Sequence, residues 1–151
     1  MTKPTSTTTA LSLLHAARSF RDAAAGMMNA SGNLDCASQM HAFYLLAGFG
    51  LEVGMKSHLR HLGLPDFPDL KRLRHDLLAT AEMLSELIGS DHEVPPNLFG
   101  IVRQLGPPHM ELVMRYTPAD ADLSLPHPVA VMEVIDQLVD DLALRLRLES
   151  E

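Results

Sequence analysis

The sequence predicts an all-α protein, a single bundle of four to five helices packed mainly antiparallel, and three observations carry that expectation. Large apolar residues recur at helical spacing in four long segments. The longest of these, from Asp35 to Leu62, is apolar most of the way round at its centre, so other helices must enclose it. The breaks between the early segments are short and built of Gly, Pro and Asn, which returns each helix alongside its predecessor.

Taken in order, residues 1–9 are polar and threonine-rich and are expected to be disordered. Any of Ser6 to Thr9 suits the N-cap of the first helix. That helix is expected over 10–30, with Ala10, Leu14, Ala17, Phe20, Ala24 and Met27 as its stripe and Arg18, Arg21 and Asp22 off it. Ser31-Gly32-Asn33 supplies turn chemistry. The central helix follows, striped by Met40, Phe43, Ala47, Leu51, Met55, Leu59 and Leu62 and widened by Tyr44, Leu45, Leu46, Phe49 and Val53. Its uncharged run from Ala42 to Leu51 is about half of the roughly 20 residues that span a bilayer, so no membrane is expected. Glu52 and Lys56 stand one turn apart, placed to pair.

Gly48, Gly50 and Gly54 lie inside this helix, where each costs close to 1 kcal/mol relative to alanine. Either another helix approaches closely there, in this chain or in a second copy, or the face is a groove for a ligand. Gly63 to Pro68 forms a proline-punctuated connection, and Asp69 is placed to cap a helix over 69–88, striped by Leu70, Leu73, Leu77, Ala81, Leu84 and Ile88 and stopped by Gly89. The pattern weakens over 90–126. A loop is expected from Ser90 to Pro96 and a short helix from Asn97 to Leu105, broken by Gly106-Pro107-Pro108. His109 to Tyr116 suits a helical turn or an extended piece, and Pro118 to Pro126 is irregular. A final helix from Pro128 to Leu148 carries Met132, Ile135, Val139, Leu142 and Leu146, with Asp136, Asp140 and Asp141 on its wet side.

The 151 residues fit one domain, 1–151, with neither a repeat nor a boundary. A hydrophobic fraction of 46% against 21% charged is ordinary globular composition. The net charge of −7 argues against indiscriminate binding to nucleic acid or anionic membrane, leaving only local basic patches for such ligands. The single cysteine, Cys36, cannot form an internal disulfide, and the N-terminus shows no basic-then-apolar export pattern; both fit a cytoplasmic protein.

Eight histidines invite a metal hypothesis, but only His58, His61 and His75 are placed to approach one another from neighbouring helices. Zinc wants three or four converging ligands with carboxylate or thiolate help, and neither HExxH nor a paired ExxH motif is present, so no metal and no cofactor is expected. Neither GxSxG nor a phosphate loop appears, and Cys36 sits among apolar neighbours. One constellation remains. Lys56, Arg60, Lys71, Arg72 and Arg74, with His58, His61 and His75, are opposed only by Asp66 and Asp69. This cationic corner reads either as the solvated faces of two helices or as a holder of phosphate. In the second reading Lys56, Arg60, Arg72, Arg74 and Arg115 hold the phosphate, with His75 nearby.

The central helix AFYLLAGFGLEVGMKSHLRHLG, followed after a short loop by LRHDLLATAEML, resembles the HEPN superfamily of small prokaryotic helical domains. The resemblance rests on Glu52 and Lys56 one turn apart, on His75-Asp76-Leu77 at the next helix, and on Arg115-Tyr116 before an irregular loop and a last helix. It covers roughly residues 10 to 148. It implies an all-α bundle, often a homodimer, in toxin–antitoxin or phage-defence systems, whose active members are metal-independent ribonucleases bearing an Arg, then four to six residues, then a His. The formal match is Arg103 with His109, but Gly106-Pro107-Pro108 would interrupt the helix that the motif needs. The resemblance therefore implies a non-catalytic module binding RNA, a nucleotide or a cognate partner protein. Two alternatives stand beside it: an endoribonuclease using Arg103 and His109, and a purely structural dimeric module.

Overall fold

The computed structural model describes residues 9–35, 39–89, 93–110 and 125–150, with no side-chain detail for Phe67 or for 148–150. Cys36, Arg115, Tyr116 and all but the last residue of the N-terminal tail lie outside them. The described residues form an all-α bundle: α1 (Ala10–Ala25), α2 (Met40–His61), a π-helical turn (Asp66–Leu70), α3 (Lys71–Leu73), α4 (Leu77–Ile88), α5 (Leu98–Met110) and α6 (Pro128–Ser150). One isolated bridge between Met28 and Leu34 is the only β pairing among them. No helix among the described residues is long and apolar enough to cross a membrane.

Thr9 starts α1 with a reciprocal cap: its hydroxyl accepts from the Ser12 N–H at 3.0 Å, and the Ser12 hydroxyl accepts from the Thr9 N–H at 2.9 Å. The helix stops at Ala25, short of the expected residue 30. The cause is Asn29, whose side-chain oxygen accepts from the N–H groups of Ser31 and Asn33 and folds the chain back, with Gly32 at φ 78°.

The central position of α2 follows from its sequence. Phe43, Ala47, Leu51, Met55 and Leu59 are entirely buried, and α1, α4, α5 and α6 all pack against it. Gly50 and Gly54 admit two neighbours. A Cβ on Gly54 would lie 3.6 Å from Leu138 and 4.0 Å from Ala17, and one on Gly50 3.4 Å from Ile135 and 3.6 Å from Phe20. The close approach is thus to α1 and α6 of the same chain, which removes the glycines as an argument for a second copy. The same pairs give direction: α1 runs antiparallel to α2, whereas α6 runs parallel to it. Tyr44 near the start of α2 donates its hydroxyl to the carbonyl of Pro126, just before α6, in agreement with the parallel register.

The unbroken helix expected over 69–88 is interrupted. Arg74 takes φ 45° and ψ −123°, a conformation that L-residues rarely adopt, and Asp76 rather than Asp69 caps the long helix. The Asp76 carboxylate accepts from the Ala79 N–H at 3.0 Å, and Thr80 donates its hydroxyl to the Asp76 carbonyl at 2.6 Å. The second departure is α5, which runs through Pro107 and Pro108 to Met110. Gly106 has no Cβ to meet the first pyrrolidine ring. The carbonyls deprived of donors belong to Arg103 and Gln104, which are exposed and can bond water. That extra turn carries His109 into the interior.

Candidate functional site

Glu52 is the one buried carboxylate among the described residues, 5% exposed on the face of α2 that meets α4 and α5. A buried charge demands partners, and three elements supply them. Oε1 accepts from His75 Nδ1–H at 2.8 Å and from His109 Nε2–H at 2.9 Å, while Oε2 takes the Lys56 ammonium at 3.2 Å. Lys56 also donates to the carbonyl of Arg74 at 2.6 Å, tying the backbone break to α2. The break presents His75, and the continued last turn of α5 presents His109.

Gly48, one turn before Glu52, makes room for the second ring: a Cβ there would stand 2.4 Å from His109 Nδ1. Phe49 closes the cluster edge-on, with centroids 4.9 Å from His109 and 5.8 Å from His75, and is itself stacked on Phe20. His109 is 1% exposed and its Nδ1 has no partner. The His75 side chain is 41% exposed, so the cluster reaches solvent through that ring.

Burial pushes the Glu52 carboxyl up, but the His109 hydrogen bond, the Lys56 charge and the His75 hydrogen bond together outweigh it, and the net shift is downward. Glu52 is therefore an acceptor at neutral pH. That fixes the tautomers: His75 carries its proton on Nδ1 and His109 on Nε2.

The residues expected at the cationic corner divide. Lys56 is spent on Glu52 and on the Arg74 carbonyl. Arg60 leans on Asp66 at 3.8 Å and on the Leu64 carbonyl at 3.5 Å. Lys71, Arg72 and Arg74 are exposed, and neither Arg72 nor Arg74 pairs with an acid among the described residues. Arg103 is exposed and lies over the Phe99 ring at 5.6 Å, on a different face of α5 from the buried His109. His58 belongs to the core, donating Nε2–H to the Leu138 carbonyl at 2.7 Å. Among the described residues, the histidine that joins His75 is therefore His109, with Glu52 between them, and not His58 with His61.

Comparison of the chain with family models, with curated proteins and with solved structures finds no match.

The buried groups give a pH dependence with a defined sign. Burial drives the His58 pKa below its ordinary 6.5, in spite of the bond to Leu138, and the Glu52 pKa is held below 4.5. Both groups bind protons more readily unfolded than folded, so their contribution is present above pH 6.5 and is lost as the pH falls, His58 first and Glu52 below it. Urea midpoints measured downward from neutral pH are expected to fall steadily. His58→Gln, which keeps a donor for Leu138, is expected to flatten the upper part of that decline; an unchanged profile would mean that His58 is not buried neutral.

Proposed function

We propose that the chain is a HEPN-like helical module that binds the phosphate of an RNA or a nucleotide at the corner formed by Arg72, Arg74 and His75. The observation that supports this most is the pair of exposed guanidinium groups without an acid partner among the described residues, carried on a backbone break that Lys56 and Asp76 hold in place. Guanidinium groups bind phosphate through paired N–H donors, and two on one short segment can grip a single phosphate or two in succession. The φ of 45° at Arg74 fits the same reading, because such conformations cost about 1–3 kcal/mol and gather at functional sites. Lys56 then serves as a positioning residue for the break, and Arg60 as a brace for the preceding turn. The toxin–antitoxin or phage-defence setting and the homodimer follow from the resemblance alone.

The test is binding of single-stranded RNA by the purified protein over a range of salt. Affinity is expected to fall steeply with salt, with a logarithmic slope of about −0.7 for each phosphate contact. Arg72→Glu with Arg74→Glu is expected to weaken binding at least tenfold. Equal affinity in the double variant would locate the phosphate elsewhere.

A second reading, metal-independent RNA cleavage, is favoured by one observation. With Nδ1 held by Glu52, His75 keeps its other nitrogen available on a partly exposed ring, the arrangement of a carboxylate-oriented general base. Arg103 has no place in it. Cleavage that resists chelator, survives Arg103→Ala and disappears in His75→Ala would favour this reading over simple binding.

A further inference from the structure

We propose that Glu52, His75 and His109 form a binding site for a zinc-class divalent cation. Two imidazole nitrogens and a carboxylate oxygen come from three separate elements, and the three donor atoms all lie within 4.8 Å of one another. Two histidines with one carboxylate is a donor set of open zinc sites, in which a fourth position is left to water or ligand. The hydrogen-bonded distances of 2.8 and 2.9 Å lie slightly inside the spacing of roughly 3.3 Å between donors that metal–ligand bonds near 2.0–2.1 Å impose in a tetrahedron. The two rings must draw back from Oε1 by about half an ångström while their nitrogens, now within 4.8 Å of each other, come to the same spacing. The partly exposed ring of His75 leaves the fourth position on the solvent side.

The surroundings favour the same atoms. Gly48 walls in His109 Nδ1, so Nε2 is the nitrogen able to reach an ion. Lys56 holds the other carboxylate oxygen, the outer-shell support that ligating carboxylates usually have. Two features oppose binding and set its strength below that of closed structural sites. The Lys56 ammonium repels a cation, and each ring must move its proton to its other nitrogen. For His75 that nitrogen belongs to the partly exposed ring; for His109 it is Nδ1, buried against Gly48 without an acceptor. The site shares His75 with the phosphate corner but not Arg72 and Arg74, which take no part in it, so the two readings are tested separately through those arginines.

The experiment is titration of the metal-stripped full chain with Co²⁺, followed by visible d–d absorption, and with Zn²⁺, followed by calorimetry. One saturable equivalent is expected, with the intense absorption of four- or five-coordinate Co²⁺. His75→Ala and Glu52→Gln, each checked for native helicity, are expected to weaken uptake at least tenfold, and Arg72→Glu with Arg74→Glu to leave it unchanged. Absence of a saturable equivalent would overturn the proposal. So would uptake indifferent to His75→Ala, which would place the ion elsewhere. Metal uptake by an unaltered protein that binds no RNA would overturn only the phosphate reading.

Discussion

Replacing Glu52 by alanine is expected to lower the free energy of unfolding by about 3–5 kcal/mol, the range for breaking a buried ion pair by removing one partner. The carboxylate is the shared acceptor of two rings and an ammonium. Without it, Lys56 keeps only the Arg74 carbonyl, and the His109 N–H is left inside the protein with nothing to accept it. A domain of this size has about 5–15 kcal/mol in hand, so the loss is a large share of it. Glu52→Gln keeps one oxygen for the rings but turns an amide N–H₂ toward the Lys56 ammonium, and is expected to cost about 1–3 kcal/mol. Urea denaturation followed by far-ultraviolet circular dichroism measures both. A loss below 1 kcal/mol for the alanine variant would mean that the three donors do not converge on this carboxylate.

The second large effect is a reversal of sign within one helix. Gly48→Ala and Gly54→Ala both gain about 1 kcal/mol of helix propensity. At Gly54 the new methyl would meet Leu138 and Ala17 at 3.6 Å and beyond, ordinary contact, so the variant is expected to be stabilised by up to that amount. At Gly48 the methyl would stand 2.4 Å from a ring nitrogen of His109, and that ring is held by Phe49 on one side and Glu52 on another. The ring must leave its carboxylate, and a net loss of about 1–3 kcal/mol is expected. If both variants gained stability, His109 would have to lie away from α2, and the placement of the last turn of α5 would be refuted.

The helices were legible because apolar spacing states which face is buried, and Leu14, Ala17, Leu51, Leu84 and Ile135 stand where that spacing puts them. Caps were harder. Asp69 and Asp76 have the same chemistry, and only the tertiary bond from Lys56 to the Arg74 carbonyl shows that the chain breaks before the second. The Glu52–Lys56 pair was visible as a spacing, but not its burial, which depends on what packs over it. His109 was hidden most deeply. Gly106-Pro107-Pro108 has the composition of a stop and separates it from the helix before, although the glycine ahead of the prolines is what lets the turn continue. Gly48 looks like Gly50 and Gly54 in sequence, yet it serves a histidine ring while they serve two helices.

Glu52 accepts bonds across sequence separations of 23 and 57 residues. A single side chain therefore closes two long loops of the chain at one atom, the first through the break before α4 and the second through the last turn of α5. Any partly assembled bundle leaves this carboxylate buried and short of a donor, or hydrated and unburied. The cluster therefore ties α2, the break before α4 and the last turn of α5 into one cooperative unit.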